Sequence, residues 1–301
     1  MQREKKKGLK TLDRIFVVSM LAIPIIIFLN GWIFVNFNSV LMAFQIPTGE
    51  WSLLSFEKVF NNLSSQPLDK SFQIMSALKN TGLWFLKDTL MLPFQLLIAY
   101  FLYKRIAGYQ AFQIIFYLPG IIPGIAISSM FSEFIAPSGP FGLILQSLGW
   151  ENVPKFLADP DYAMGTLMFY SLWLGWGGNM LLLGGALARI PVEVLESARL
   201  DGANTFQEFT QFIFPLVWST LSTLFILSMT TVFSNSGPVH LFTQGNFETA
   251  TMGYWIFYKL KNGGKADYNE VAATGLLLTM IAVPVIMTLR WLIEKVEVVD
   301  Y

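Results

Sequence analysis

The sequence predicts an all-α membrane protein: six transmembrane helices, with a helical element on the cytoplasmic side between spans four and five. Three observations lead there. More than half of the 301 residues are hydrophobic and only 13% are charged, against about 25% charged in a soluble domain. Six apolar segments, near residues 15–36, 80–103, 112–133, 162–187, 213–235 and 271–293, each have the length needed for a hydrocarbon core about 30 Å thick. Backbone groups inside lipid must be paired within the segment, so segments of this length span as helices rather than as barrel strands.

The first segment follows the basic stretch MQREKKKGLKTLDR. A cleaved signal peptide also starts this way, but the apolar run from Ile15 is of full spanning length and no small-residue cleavage site follows. It reads as a retained first helix. Residues 1–14 form a cytoplasmic basic N-terminus, 15–295 the transmembrane domain and 296–301 a cytoplasmic tail. With the N-terminus inside, the inner segments hold Arg3, Lys5, Lys6, Lys7, Lys10, Arg14, Lys104, Arg105, Arg189, Arg199, Arg290 and Lys295. That is the excess expected of cytoplasmic loops. An even number of spans returns both termini to the cytoplasm. The N-terminal lysines also suit anionic lipid. Long outer loops near 37–79, 134–161 and 236–270 mix acidic, aromatic and Gly/Pro residues.

The inner connection between spans four and five, about 189–215, has structure of its own. Pro191 breaks the fourth span after Ile190. Pro191-Val-Glu193 then opens a new helix, with proline and an acid in favoured first-turn positions. Gly202 ends or bends it. Thr205-x-x-Glu208 has the pattern of a capping box opening a second short helix.

Composition excludes much chemistry. The chain has no cysteine and one histidine, His240, so thiolate sites, disulfides and multi-histidine metal sites are absent. Net charge is zero, which gives no long-range pull toward nucleic acid. Gly263-Gly264-Lys265 is followed by Ala266, so it is no Walker A loop. No catalytic or metal-binding set is assigned. His240 reads as a solvated or structural outer-loop residue.

Polar groups inside spans are costly and often functional. Ser171, Gly175 and Asn179 recur at intervals of four and share one face of the fourth span, beside Trp173 and Trp176. Ser228, Thr231 and Asn235 share a face of the fifth. Hydroxyls with neighbouring aromatic rings suit a sugar, whose apolar faces stack on rings. Small residues at such spacing also pack helices together, and Gly177, Gly178, Gly184 and Gly185 are read that way. Lys87 and Asp88, placed near the outer end of the second span, point about 100° apart on a helix. They are expected to snorkel toward the interface rather than pair, as is Glu133 at the end of the third.

At the inner connection the sequence resembles a known family. Glu196-Ser197-Ala198, three residues, Gly202, nine residues, then Phe212-Ile213-Phe214-Pro215 is similar to the "EAA loop" of permease subunits of binding-protein-dependent ABC importers. That pattern reads Glu-Ala-Ala, three residues, Gly, nine residues, Ile-x-Leu-Pro. Ser197, Phe212 and Phe214 replace like with like. The Asp201-Gly202-Ala203 extension resembles the carbohydrate branch. Trp173-Leu-Gly175 through Ile190-Pro191, Ala77 to Thr81, and Tyr117-Leu-Pro119 with Pro123 extend the likeness. Ser236-Gly237-Pro238 and the tail from Arg290 are similar to the MalF-like rather than the MalG-like subunit, without the large extracytoplasmic insertion of the best-known MalF proteins.

The resemblance implies a permease for a sugar or oligosaccharide. Its implied partners are a second, MalG-like permease, two ATPase subunits that bind ATP and Mg, an extracytoplasmic solute-binding protein, and the lipid bilayer; no cofactor is bound in this chain. Glu196, Ala198, Asp201, Gly202, Ala203 and Pro215 would form the ATPase-coupling helix and loop, the two alanines allowing close approach. Spans three to five would build the sugar site, with Ser171, Gly175 and Ser228 at its place. Two other readings stay open: an ABC permease for a non-sugar solute, and an ion-coupled secondary transporter, which would carry charged pairs deep in its spans.

Overall fold

The computed structural model describes residues 11–65, 71–234 and 236–295. The basic N-terminal run, the 296–301 tail and Asn235 therefore lie outside the described residues, apart from the backbone of 11–14. Among the described residues all regular structure is helical. The helices are α1 (Phe16–Ala43), α2 (Leu54–Ser64), α3 (Ile74–Tyr103), α4 (Tyr109–Ile121), α5 (Gly124–Ile135), α6 (Pro140–Ser147), α7 (Pro160–Leu187), α8 (Val192–Leu200), α9 (Thr205–Leu216), α10 (Trp218–Thr231), α11 (Gly237–Phe242), α12 (Met252–Asn262) and α13 (Lys265–Glu294).

Three of these, α1, α3 and α13, are long and apolar enough to cross a membrane unbroken. Three further crossings arise if each bent pair of helices counts as one. The expected third span, 112–133, is one of the bent pairs: α4 and the helix after it meet at 107°. Pro123 is the cause. It excludes Ile122 from helical geometry, and Ile122 sits at φ −71°, ψ 136°. The expected fifth span, 213–235, is also broken. The chain bends by 67° between α9 and α10, at Val217, and α10 ends at Thr231. The stretches expected as outer loops carry α2, α6, α11 and α12.

The chain divides into two compact units. In the smaller (1–60 with 262–279), the Asn269 amide donates to the carbonyls of Met42 and Gln45 at 2.9 and 2.7 Å. Phe44 and Phe56 rings meet at 5.1 Å. Apart from Ala22, its α1 side chains from Phe16 to Phe37 are exposed, as expected of a helix whose solvent is lipid rather than protein.

The larger unit (61–261 with 280–301) holds the main core. Leu92, Leu96, Ala99 and Tyr100 of α3 pack with Leu183, Ala186 and Leu187 of α7, and Ile190, Leu195, Ile213 and Leu221 complete the cluster. A second cluster joins Trp84 of α3 and Leu167 of α7 to Val239, Ala250 and Tyr254. There the buried Asn80 amide donates to the carbonyls of Glu248 and Ala250 at 2.7 and 2.9 Å, and the Met252 N–H donates to Thr81 Oγ1 at 2.9 Å. So the head of α3 pins the loop ahead of α12.

Helix α7 approaches α4 closely at Gly177, where a Cβ would stand 2.7 Å from the Phe116 carbonyl oxygen. That bears out the packing role of Gly177. Gly178, Gly184 and Gly185 meet nothing within this chain. Gly177→Ala is expected to force the two helices apart and lower stability by roughly 1–3 kcal/mol. Thermal unfolding of the purified protein in detergent measures this, and an unchanged midpoint would rule out the close contact.

Candidate functional site

The polar faces read from the sequence converge. Ser171, Gly175 and Asn179 of α7 and Ser228 and Thr231 of α10 line one cavity of about 310 Å³. Its third wall was not foreseen. It is α3, the second span rather than the third, through Asp88, Met91, Leu92 and Gln95. Gln95 is 2% exposed. Its amide donates to the Gly175 carbonyl at 2.8 Å, and its oxygen accepts from the Asn179 amide at 3.0 Å. A lone carboxamide in an apolar span is costly. Here it cross-links α3 to α7, with Met91 packed beside Gly175 at ordinary contact distance. Ser228 and Thr231 donate to carbonyls of their own helix, to Phe225 at 2.7 Å and to Ser228 at 3.1 Å, which leaves their lone pairs for a guest.

Lys87 and Asp88 depart from expectation. Because α3 starts at Ile74, they stand near the middle of a 30-residue helix, not at its outer end. They also pair: Lys87 Nζ lies 2.8 Å from Asp88 Oδ1. The long lysine stem covers the angular gap between adjacent positions. Nζ also donates to Ser171 Oγ at 2.6 Å and sits 4.3 Å from the Trp84 ring centre. Lys87 is thus satisfied inside the protein instead of reaching for an interface.

No aromatic ring lines this cavity. Trp176 packs on Phe116 at 5.8 Å, and Trp173 lies 6.1 Å from Phe131. The rings gather around a separate cavity of about 460 Å³, lined by Phe131, Phe134, Phe141, Phe156, Tyr162 and Phe169. Stacking rings and hydroxyls, expected together, line different cavities, and Trp176 is not among the residues lining the polar one. His240 is exposed, with its ring against Phe257 at 4.9 Å.

The 189–215 connection folds as a helical turn. Pro191 precedes α8, and Gly202 ends it at φ +87°. The Ala203 N–H reaches the Ala198 carbonyl and the Gly202 N–H that of Arg199, both at 3.0 Å, a Schellman closure that satisfies the last carbonyls of the helix. The capping box is displaced by one residue from the predicted one. Asn204 caps α9, and Gln207 donates back to its oxygen and accepts from its N–H, both at 2.9 Å. Asparagine is the better cap, and that frees Glu208.

Glu208 is 1% exposed. Its carboxylate accepts from Tyr100 Oη at 2.9 Å, Lys104 Nζ at 3.1 Å and Arg199 Nε at 3.1 Å. One acid thereby joins α8 and α9 to the end of α3. Glu196, Asp201 and Gly202 are exposed and Ala203 is half-buried. Ala198 is 1% exposed and packs inward against its own chain. The apolar side chains that stand outward are Leu200 at 88% and Phe206 at 74% exposure. Pro215 lies inside α9, two residues before the bend. Glu208→Ala removes the shared acceptor and leaves the buried Tyr100 and half-buried Lys104 without it. A loss of roughly 2 kcal/mol or more is expected in detergent unfolding, with Glu208→Gln recovering part of it. A wild-type midpoint for Glu208→Ala would contradict the network.

Residues 91–297 match the family described as "Binding-protein-dependent transport system inner membrane component". The maltodextrin transport system permease protein MdxF of Bacillus subtilis is 28% identical over 193 residues, covering 59% of this chain and 44% of that protein. The maltose/maltodextrin transport system permease protein MalF of Escherichia coli is 25% identical over 191 residues, covering 60% and 37%. The chain thus spans less than half the length of these two relatives. Among solved structures, a bacterial ABC transporter involved in the import of the acidic polysaccharide alginate superimposes with a TM-score of 0.78 at 21% identity, over 94% of this chain and 96% of that one. A bacterial alginate ABC transporter in complex with an alginate pentasaccharide-bound periplasmic protein gives 0.75 at 21%, over 91% and 93%.

Proposed function

The chain belongs to the family of binding-protein-dependent transport system inner membrane components, and from that premise we propose that it is the permease subunit of an ATP-driven ABC importer moving a sugar or oligosaccharide into the cytoplasm. In this reading six spans, three of them bent, cross the plasma membrane with both termini in the cytoplasm. The complex holds a MalG-like permease, two ATPase subunits that bind ATP and Mg, and an extracytoplasmic binding protein. Relatives named as maltodextrin permeases support the sugar assignment.

The observation that carries the proposal is the helical 192–216 turn, which exposes Glu196, Asp201, Leu200 and Phe206 while Glu208 ties it to α3. A partner ATPase gripping the exposed side would pull on α8. The carboxylate would pass that displacement to Tyr100 and Lys104, and so to the helix that walls the cavity. The bends at Ile122 and Val217 are places where rigid pieces can pivot. Alternating access then needs no chemistry in this chain, only two positions of the walls around Ser171, Asn179, Ser228 and Thr231. Hydroxyls and amides there suit a polyhydroxyl guest.

Gly202 tests the coupling. A β-branched residue in its left-handed conformation costs about 1–2 kcal/mol or more and would tilt α8 against α9. In proteoliposomes containing the whole transporter, Gly202→Val is expected to abolish uptake and substrate-stimulated ATP hydrolysis while the protein still inserts. Retention of both activities would refute the coupling role. For the path, Ser171→Leu with Ser228→Leu is expected to cut uptake at least tenfold with the complex still assembled. Unchanged uptake kinetics would remove these residues from it.

The Lys87–Asp88 pair at the middle of α3 is the feature an ion-coupled transporter would show. Uptake that persists without ATP, and stops when ionophores collapse ion gradients, would favour that second reading. The absence of rings from the cavity is what a non-sugar solute would need, and the ligand of the associated binding protein decides that point.

A further inference from the structure

The Lys87–Asp88 pair presents its two charges unequally. The Lys87 side chain is 9% exposed and that of Asp88 is 39%. The ammonium is used up by Asp88 Oδ1, Ser171 Oγ and the face of Trp84. Asp88 lines the cavity and Lys87 does not. A dipeptide that is neutral in sequence therefore shows the cavity a carboxylate, backed by a cation that a guest does not reach. Among the residues lining the cavity, Asp88 alone carries a formal charge.

We propose that Asp88 sets the charge specificity of this cavity, selecting uncharged, hydroxyl-rich saccharides and rejecting acidic ones. The inference rests on the reading of the cavity as the saccharide path. A carboxylate with one oxygen held by Lys87 keeps its second for sugar hydroxyls, and charge-assisted hydrogen bonds of this kind are roughly twice as strong as neutral ones. A uronate brought to about 6 Å of Asp88 meets a like charge that Lys87, about 3 Å further on, offsets only in part, a net penalty on the order of 5-fold in affinity. Lys87 fixes the orientation of Asp88 and, through Ser171 Oγ, ties it to α7. Both groups keep their partners when the cavity is empty, so the charge costs less than a lone carboxylate at that depth.

The test is equilibrium binding of two trisaccharides, neutral maltotriose and acidic trigalacturonate, to the purified complex of this chain with its partner permease and ATPase subunits in nanodiscs. Wild type is expected to bind maltotriose about 5-fold more tightly than trigalacturonate. Asp88→Asn should bring that ratio to unity or below. Because Asp88→Asn alone leaves Lys87 unpaired, the double variant Lys87→Met/Asp88→Asn accompanies it and should narrow the ratio in the same direction. A ratio unchanged in both variants, or a wild-type preference for the uronate, overturns the proposal. Ser228→Leu separates this from the cavity reading itself. Loss of maltotriose binding in Ser228→Leu with an unchanged ratio in the Asp88 variants leaves the path standing and removes the charge filter. Wild-type maltotriose binding in Ser228→Leu, or no saturable binding of either sugar to wild type, removes both.

Discussion

The carboxylate of Glu208 is the point on which the rest of the larger unit turns. A charge that buried is tolerable only when its partners fully occupy it, and here a phenol, an ammonium and a guanidinium do so from two separate parts of the chain. Tyr100 and Lys104 end α3, the helix that walls the polar cavity. Arg199 ends α8, and Glu208 itself lies one turn into α9. Without that shared acceptor the 192–216 turn would be a peripheral loop. With it, the turn is bonded to the same helix that carries Gln95, Lys87 and Asp88. Lys104 also lies over the Tyr100 ring at 4.9 Å, so the donors are held in place by each other as well as by the acid.

Helix α3 thus carries polar commitments at three levels. Near its start, Asn80 and Thr81 satisfy backbone groups of the 248–252 loop. At its middle, Lys87 reaches Ser171 on α7, and Gln95 reaches Gly175 and Asn179 on the same helix. At its end, Tyr100 and Lys104 reach Glu208. Apolar contact between helices gives little direction in lipid, where the solvent is as greasy as the side chains. Hydrogen bonds between α3 and α7 instead fix rotation and register, because a slip by one residue would strand a lysine and a carboxamide in an apolar medium.

Sequence reasoning reached the parts of this that are periodic or that obey local backbone rules. The apolar runs located the three long helices and the three bent pairs, the interval-four spacing put Ser171, Gly175 and Asn179 on one cavity wall, and Pro191 and Gly202 marked both ends of α8. What it missed depends on which of several local options tertiary contacts reward. Pro119 and Pro123 were visible, yet a proline can kink a span or break it, and only the geometry at Ile122 distinguishes these. Thr205 and Asn204 could each cap α9. The choice fell to Asn204 because Glu208 has better partners than a cap, and those partners are 104 to 108 residues distant in sequence or sit on the preceding helix. Gln95 was the readable signal for the third wall, a carboxamide in the middle of an otherwise apolar run, and nothing local says which neighbour it faces.

The Lys87–Asp88 pair shows how a boundary error becomes a chemical one. Starting the second span at residue 80 puts the pair near an edge, where snorkelling is the cheaper solution. Starting it at Ile74 puts the same residues at mid-helix, where Trp84 and Ser171 already flank the ammonium and pairing with Asp88 completes its surroundings. Six residues of extra helix therefore change the expectation from two independent solvated charges to a coupled pair beside a cavity. Those six residues, with Ser76 and Lys79 among them, are polar enough to look like loop, but Ile74 and Ala77 are buried and the adjoining Asn80 is bonded to the 248–250 backbone. Tertiary burial extended the helix beyond its hydropathy. The proposed charge filter follows from that extension, because a pair of opposite charges acquires a sign toward a guest only when one member is walled in and the other is not.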